Sequence, residues 1–134
     1  MRFSALVIAG LAGLAGWHLS VSPAATVTVN TGAVCRPGND STWVLPYAVS
    51  ITEGDSVAWA INGGDADSLV LRPKRGQRWP FTGAEPGGRR ARPARSGRSD
   101  TTGTFHYDIV LYCPAGESGL RAVVIDPDII IGGR

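Results

Sequence analysis

Imidazole and thioether groups are nearly missing from this sequence. Its 134 residues contain two histidines, His18 and His106, and one methionine, Met1. Lysine occurs once, as Lys74, and cysteine only as Cys35 and Cys113. No Cys-x-x-Cys pair, no Gly-x-Ser-x-Gly turn and no glycine loop ending in Lys-Ser or Lys-Thr is present. These absences remove the common redox dithiol, the serine-hydrolase elbow and the phosphate-binding loop. A serine triad also needs a histidine base, which leaves too few candidates to choose from. Asp65 and Asp67, and again Asp126 and Asp128, are closely spaced acids in turns, where short acids bond the local backbone. The chain is therefore read as non-enzymatic, with no catalytic residue assigned.

The first residues have the layout of an export signal. Met1-Arg2 supplies a short positive region, and Phe3 to Trp17 runs without a charge. Ser22 and Ala24 then provide the small side chains of a cleavage site. As a helix, positions 3–17 would span about 22 Å, short of the roughly 30 Å of a hydrocarbon core. Residues 1–24 are thus expected to be a signal peptide, and 25–134 a single secreted or periplasmic domain of the cell envelope, with no transmembrane span in the mature form. No cysteine stands at the cleavage point to carry a lipid. His18 and Met1 leave with the signal, so His106 becomes the sole histidine and methionine disappears.

Cys35 and Cys113 both lie in the exported part. An even pair in a small extracytosolic domain reads most simply as a disulfide. On the chain-entropy estimate, a loop that long contributes about 4 kcal/mol. The other reading open at this point is Cys113 as a metal ligand.

The apolar residues of the remaining chain are spaced for strands. Thr26-Val27-Thr28-Val29-Asn30 and Ala48-Val49-Ser50-Ile51-Thr52 alternate strictly. Ser56 to Ile61, Ser68 to Leu71, Gly103 to Leu111, Leu120 to Ile125 and Ile129 to Ile131 extend the series. Period-two runs bounded by Gly, Asn and Asp predict strands, and no sustained 3.6-residue period predicts a helix. Six or seven short strands predict an all-β sandwich or small barrel.

Three motifs in this order resemble the cupredoxin fold, specifically small bacterial secreted cupredoxin-like domains. The first is Val49-Ser50-Ile51-Thr52-Glu53-Gly54-Asp55-Ser56-Val57-Ala58-Trp59-Ala60-Ile61-Asn62, similar to a strand, Gly-Asp turn and strand ending in Trp-x-x-Asn. The second is Gly103-Thr104-Phe105-His106-Tyr107-Asp108-Ile109, similar to the Gly-x-aromatic-x-aromatic strand leading to the copper cysteine. The third is the closing strand, Ala122 to Ile125, with its tail Asp126-Pro127-Asp128-Ile129-Ile130-Ile131. The resemblance implies a Greek-key β-sandwich over residues 26–131. It also raises the question of a type 1 copper site, which takes two imidazoles, a thiolate and a weak axial thioether. The region after the Trp strand, Asn62 to Ser68, has no histidine. Counting from Gly103 puts Ile109 at the cysteine position. Counting from Cys113 puts Gly116 at the second histidine and Leu120-Arg121 at the axial ligand. With Phe105, Tyr107, Ile109 and Leu111 on one strand face, His106 and Asp108 belong to the other. No cofactor is therefore expected. The alternative is a copper-binding or electron-transfer protein with an atypical or intermolecular site at His106 and Cys113.

Between positions 72 and 100 the composition changes. Arg72, Lys74, Arg75, Arg78, Arg89, Arg90, Arg92, Arg95 and Arg98 face a single acid, Glu85, before Asp100 closes the stretch. Strand periodicity is absent, so 72–100 is expected to be a long flexible basic loop, with Trp79-Pro80-Phe81 folding back as an anchor. Guanidinium groups suit phosphates, carboxylates and sulfates. The expected partner is an unidentified envelope protein or an anionic surface. Nucleic acid is not expected, because aromatic residues are not interleaved with the arginines. Expression in a secreting host should yield a mature chain starting at Ala25, measured as intact mass; retention of residues 1–24 would contradict the signal assignment.

Overall fold

The computed structural model describes residues 23–36 and 43–134. The signal expected over 1–24 lies outside these residues except for Pro23 and Ala24. Among the described residues, no helix is long and apolar enough to cross a membrane.

The alternating runs become the strands that carry the sandwich. They are β1 (Ala25–Asn30), β3 (Ala48–Thr52), β4 (Val57–Asn62), β5 (Ser68–Pro73), β8 (Gly103–Pro114), β9 (Leu120–Ile125) and β10 (Asp128–Gly132). Three further strands escaped the sequence pattern: β2 (Val44–Leu45), β6 (Gly87–Arg89) and β7 (Ala94–Arg95). One sheet has the order β2-β1-β4-β7. The other runs β3-β10-β8-β5-β6, with β9 also paired to β8. Two of the pairings, β1 with β4 and β3 with β10, are parallel. The all-β sandwich expected from period two is what the chain forms. A five-residue helix, α1 (Thr31–Cys35), corrects the expectation of no helix. One turn is too short to show a repeating apolar period, and it depends on tertiary packing for its stability.

Strand β8 organises the larger sheet. Residues Tyr107 to Tyr112 pair with β5 on one side. On the other side Ile109 to Pro114 pair with β9, and Gly103 to His106 pair with β10. Between the sheets lie Val27, Val29, Val49, Trp59, Leu69, Tyr107, Ile109, Leu111 and Ile129, all essentially inaccessible to solvent. At this distribution of burial, each large aliphatic or aromatic side chain contributes roughly 1.5–3 kcal/mol.

The core contains four aromatic rings. Trp59 from β4 has its ring centroid 6.0 Å from those of Tyr107 and Trp79, and 6.2 Å from that of Phe81. Trp59 Nε1 donates to the Tyr107 hydroxyl at 2.9 Å, joining the two sheets through the buried interior. Trp79 and Phe81 are both buried, so the anchor expected at 79–81 is present.

Burial pushes the Tyr107 phenol well above its ordinary value of 10.0, against the opposing effect of the Trp59 hydrogen bond. Lys74 is also held above its ordinary 10.5, first by its bond to Asp108 and then by Asp126. Both groups keep their proton more firmly in the fold than in the unfolded chain. Their contribution to stability is therefore complete below about pH 10 and declines as pH rises toward the folded values. Tyr107→Phe should cost about 1–2 kcal/mol at neutral pH by orphaning the Trp59 N–H. It should also remove the tyrosine share of the alkaline decline, as read from denaturant melts against pH; an alkaline limb identical to wild type would contradict this.

Candidate functional site

The end of β8 where a copper cysteine would stand is built around a disulfide. Tyr107 points inward, so the two-residue period of the strand also turns Ile109, Leu111 and Cys113 inward. Cys113 is fully buried and bonded to Cys35, with Cα atoms 5.4 Å apart and a sequence separation of 78. Both cysteines are consumed. Cys35 is the last residue of α1, which is fixed from its other end by Thr31. The Thr31 hydroxyl, itself buried, donates to the Asn62 carbonyl at 2.9 Å and accepts from the Asp65 N–H at 3.3 Å. Gly63 has φ of +101°, and a Cβ there would lie 2.6 Å from Thr31 Oγ1. Only glycine fits both the backbone and the space. Asp65 continues the chain of contacts with an ion pair to Arg36 at 2.6 Å, and Arg121 Nη2 donates to the Cys35 carbonyl at 3.2 Å.

His106 lies on the opposite face of the same strand. Its Nδ1 is 2.5 Å from Asp128 Oδ1, and about half of its side chain is exposed. It is separated from Cys113 by seven residues of extended chain, about 23 Å at 3.3 Å per residue. The two residues also face opposite sides of the sheet. His106 and Cys113, paired in the alternative copper reading, are thus not brought together. The described residues include no other histidine, and both sulfurs are in the disulfide, so the donor set does not fit a type 1 copper ion. Among the described residues, no group of three or more His, Cys, Asp and Glu is placed to hold a metal ion.

The basic segment is not the strandless flexible loop expected over 72–100. Arg72 lies in β5, and β6 and β7 fall inside the segment. Ala94 pairs with Trp59 and is buried, carrying β7 onto the smaller sheet. A Cβ on Gly88 would come 2.9 Å from Ala94 N, so glycine permits the close approach of β6 to β7. Val57 N donates to Ser96 Oγ at 2.9 Å, and Gly54 N to Ser99 Oγ at 2.9 Å. Ser99 N donates to the Asp55 carbonyl at 2.8 Å. These bonds answer to no local sequence period, which is why the pattern did not reveal them.

The fold scatters the nine cations over different faces. Lys74 bridges Asp108 and Asp126, with Nζ 3.1 Å from Asp126 Oδ1. Arg78 meets Asp100 at 2.8 Å, and Arg90 donates to the Gly64 carbonyl at 2.8 Å. Arg89 and Arg92 are exposed and border an open groove of about 480 Å³ between β5 and β6. Arg95 and Arg98 border a second groove with Ser56 and Ser96. Arg72 and Arg75 remain exposed near the start of the segment. Sequence reasoning treated the arginines as one loop; the register Ser68 with Arg89 and Ala58 with Arg95 assigns them to separate sheets.

The three motifs that resemble cupredoxins fall on β3 to β4, on β8 and on β9 to β10 of a two-sheet β-sandwich. No protein-family model matches the chain, and no curated protein matches it. Among solved structures it is similar to an oxidised variant of amicyanin, at 12% identity and a TM-score of 0.45, over 81% of this chain and 82% of that one. A reduced Cu(I) variant of amicyanin gives 11% identity and a TM-score of 0.45, over 84% and 87%. A chain of a heme-copper terminal oxidase dimer gives 11% identity and a TM-score of 0.42, over 80% of this chain and 63% of that one.

Replacing both cysteines with alanine should lower stability by about 2–4 kcal/mol, measured by denaturant unfolding, because the unfolded chain regains the freedom of the long loop. An unchanged midpoint would show that the covalent link adds nothing to the packing of α1 on β8.

Proposed function

We propose that this chain is an exported, non-enzymatic cupredoxin-like module without a copper site, acting through surface contacts as an accessory or interaction protein of the cell envelope. The observation that carries this reading is the Cys35–Cys113 disulfide. Such a bond persists in oxidising compartments outside the cytosol. The same bond occupies the sulfur that a blue-copper site would need as a thiolate. The position of the sole described histidine on the other face of β8 supports it further. Among the described residues no donor set stands at the end of the sandwich, and the reading therefore places specific contacts on the surface.

Thiol titration of the purified mature protein tests this reading. No reactive thiol is expected, native or denatured, until a reductant is added. Added copper(II) should produce no intense thiolate-to-copper absorption. Two free thiols together with such a band would overturn the proposal and establish a copper-handling protein instead.

A further inference from the structure

On β8 the alternation of buried and exposed positions breaks, as it also does on β4 at Val57, Ala58 and Trp59. Ile109, Val110 and Leu111 are consecutive apolar residues on β8, and all three are buried. Ile109 and Leu111 belong to the core cluster, but Val110 does not. Its parity places it on the outer face, between Val70 of β5 and Val124 of β9 in register. The next row along the same face is Ser68, Tyr112 and Ala122, with Leu120 opposite Pro114 beyond it. Val124 is 50% exposed and Leu120 is 53% exposed. An apolar platform thus crosses three strands and opens to solvent at its β9 side.

At the β6 side the platform meets cations. Gly87 pairs with Val70, and Arg89 pairs with Ser68. Gly87 has no side chain, so the groove between β5 and β6 stays open, lined by Ser68, Val70, Gly88, Arg89 and Arg92. Arg89 and Arg92 are fixed relative to each other by two backbone hydrogen bonds of 2.9 Å. Neither guanidinium has a carboxylate or carbonyl partner among the described residues, unlike Arg90, which is bound to Gly64. The acids nearest in sequence to this end are Asp67, just before β5, and Glu117, in the turn between β8 and β9. The combination is an apolar row next to two exposed arginines whose backbones are paired and whose guanidinium groups are unneutralised among the described residues.

We infer that this face docks on an anionic lipid surface, with Arg89 and Arg92 on phosphate groups and the exposed side chains of Leu120 and Val124 against the headgroup–acyl boundary. Charge complementarity selects this occupant, since paired guanidinium groups fork onto phosphate oxygens and exposed aliphatic side chains gain by leaving water. Anionic membrane surfaces attract cations at short range, and the attraction is screened by salt. The inference rests on the exported reading only for where the protein meets lipid.

The test is cosedimentation of the purified mature protein with vesicles of equal parts phosphatidylglycerol and phosphatidylcholine, against pure phosphatidylcholine. Binding is expected only to the anionic vesicles, and it should weaken steeply as salt is raised. The double variant R89Q/R92Q should bind about thirty-fold less tightly. Val124→Ser with Leu120→Ser should weaken binding several-fold at unchanged charge. The control R75Q/R98Q removes the same charge from elsewhere and should stay near wild type. Equal binding to neutral vesicles, or an equal loss in the control, would overturn the inference. Neither result would touch the copper-free reading, which stands or falls on thiol and copper titration.

Discussion

The hydrogen bond from Trp59 Nε1 to the Tyr107 hydroxyl fixes more than two side chains. It joins β4 in one sheet to β8 in the other, and so sets which face of β8 is internal. Every other position follows from the two-residue period of the strand. Phe105, Ile109, Leu111 and Cys113 turn inward with Tyr107, while His106, Asp108, Val110 and Tyr112 turn outward. The bond is buried, so separating its partners would expose an indole donor and a phenol acceptor to an apolar interior. A one-residue slip of β8 would do this and would also invert its whole apolar face. The same parity divides the two residues that composition offered as copper ligands, since the cysteine is internal and the histidine external.

The main strands could be read from sequence because the physical cause of a half-buried strand is local. Val27 and Val29, or Val49 and Ile51, must reach one core from alternate positions, and the alternation appears directly in the chain. The disulfide was legible for a similar reason, being the simplest fate of two cysteines in an oxidising compartment. Helix α1 and strands β2, β6 and β7 were not. Their residues are few, and what fixes them lies far away in sequence: the Asn62 carbonyl for Thr31, Trp59 for Ala94, and Leu69 for Gly88. Gly87-Gly88-Arg89 has almost no side-chain pattern to read. Its place in the sheet comes from what glycine allows a neighbouring backbone to do.

The basic segment shows how composition and placement diverge. Nine cations among so few acids suggest a single positive loop, with self-repulsion as its main property. The folded chain instead uses the segment to close one edge of the sandwich, from Trp79 and Phe81 in the core to Ala94 beside Trp59. Lys74 and Arg78 each find carboxylates, and Arg90 finds a carbonyl. The charge left over is smaller than the composition suggests and is sorted by sheet. Exposed ion pairs of this kind contribute little to stability, a median of about 0–1 kcal/mol each. The arginines therefore matter chiefly through where their unneutralised members end up.

At the end of β8, a disulfide and a copper thiolate are mutually exclusive uses of one sulfur. Once Cys113 is bonded to Cys35, its sulfur is no longer available as a thiolate, and the loop after β8 is short. It closes as a 3-10 turn, Gly116–Ser118, and leads directly into β9. Strand β9 in turn places Leu120, Ala122 and Val124 on the outer face beside Val110. The sulfur chemistry that stabilises the interior and the apolar platform on the exterior are thus two results of the same chain path. Val110 lies outside the core cluster yet is only 3% exposed, so the fold already covers it. Leu120 and Val124, at 53% and 50% exposure, are the members of the row left for a partner, with the arginine pair at the β6 edge setting the charge of what would cover them.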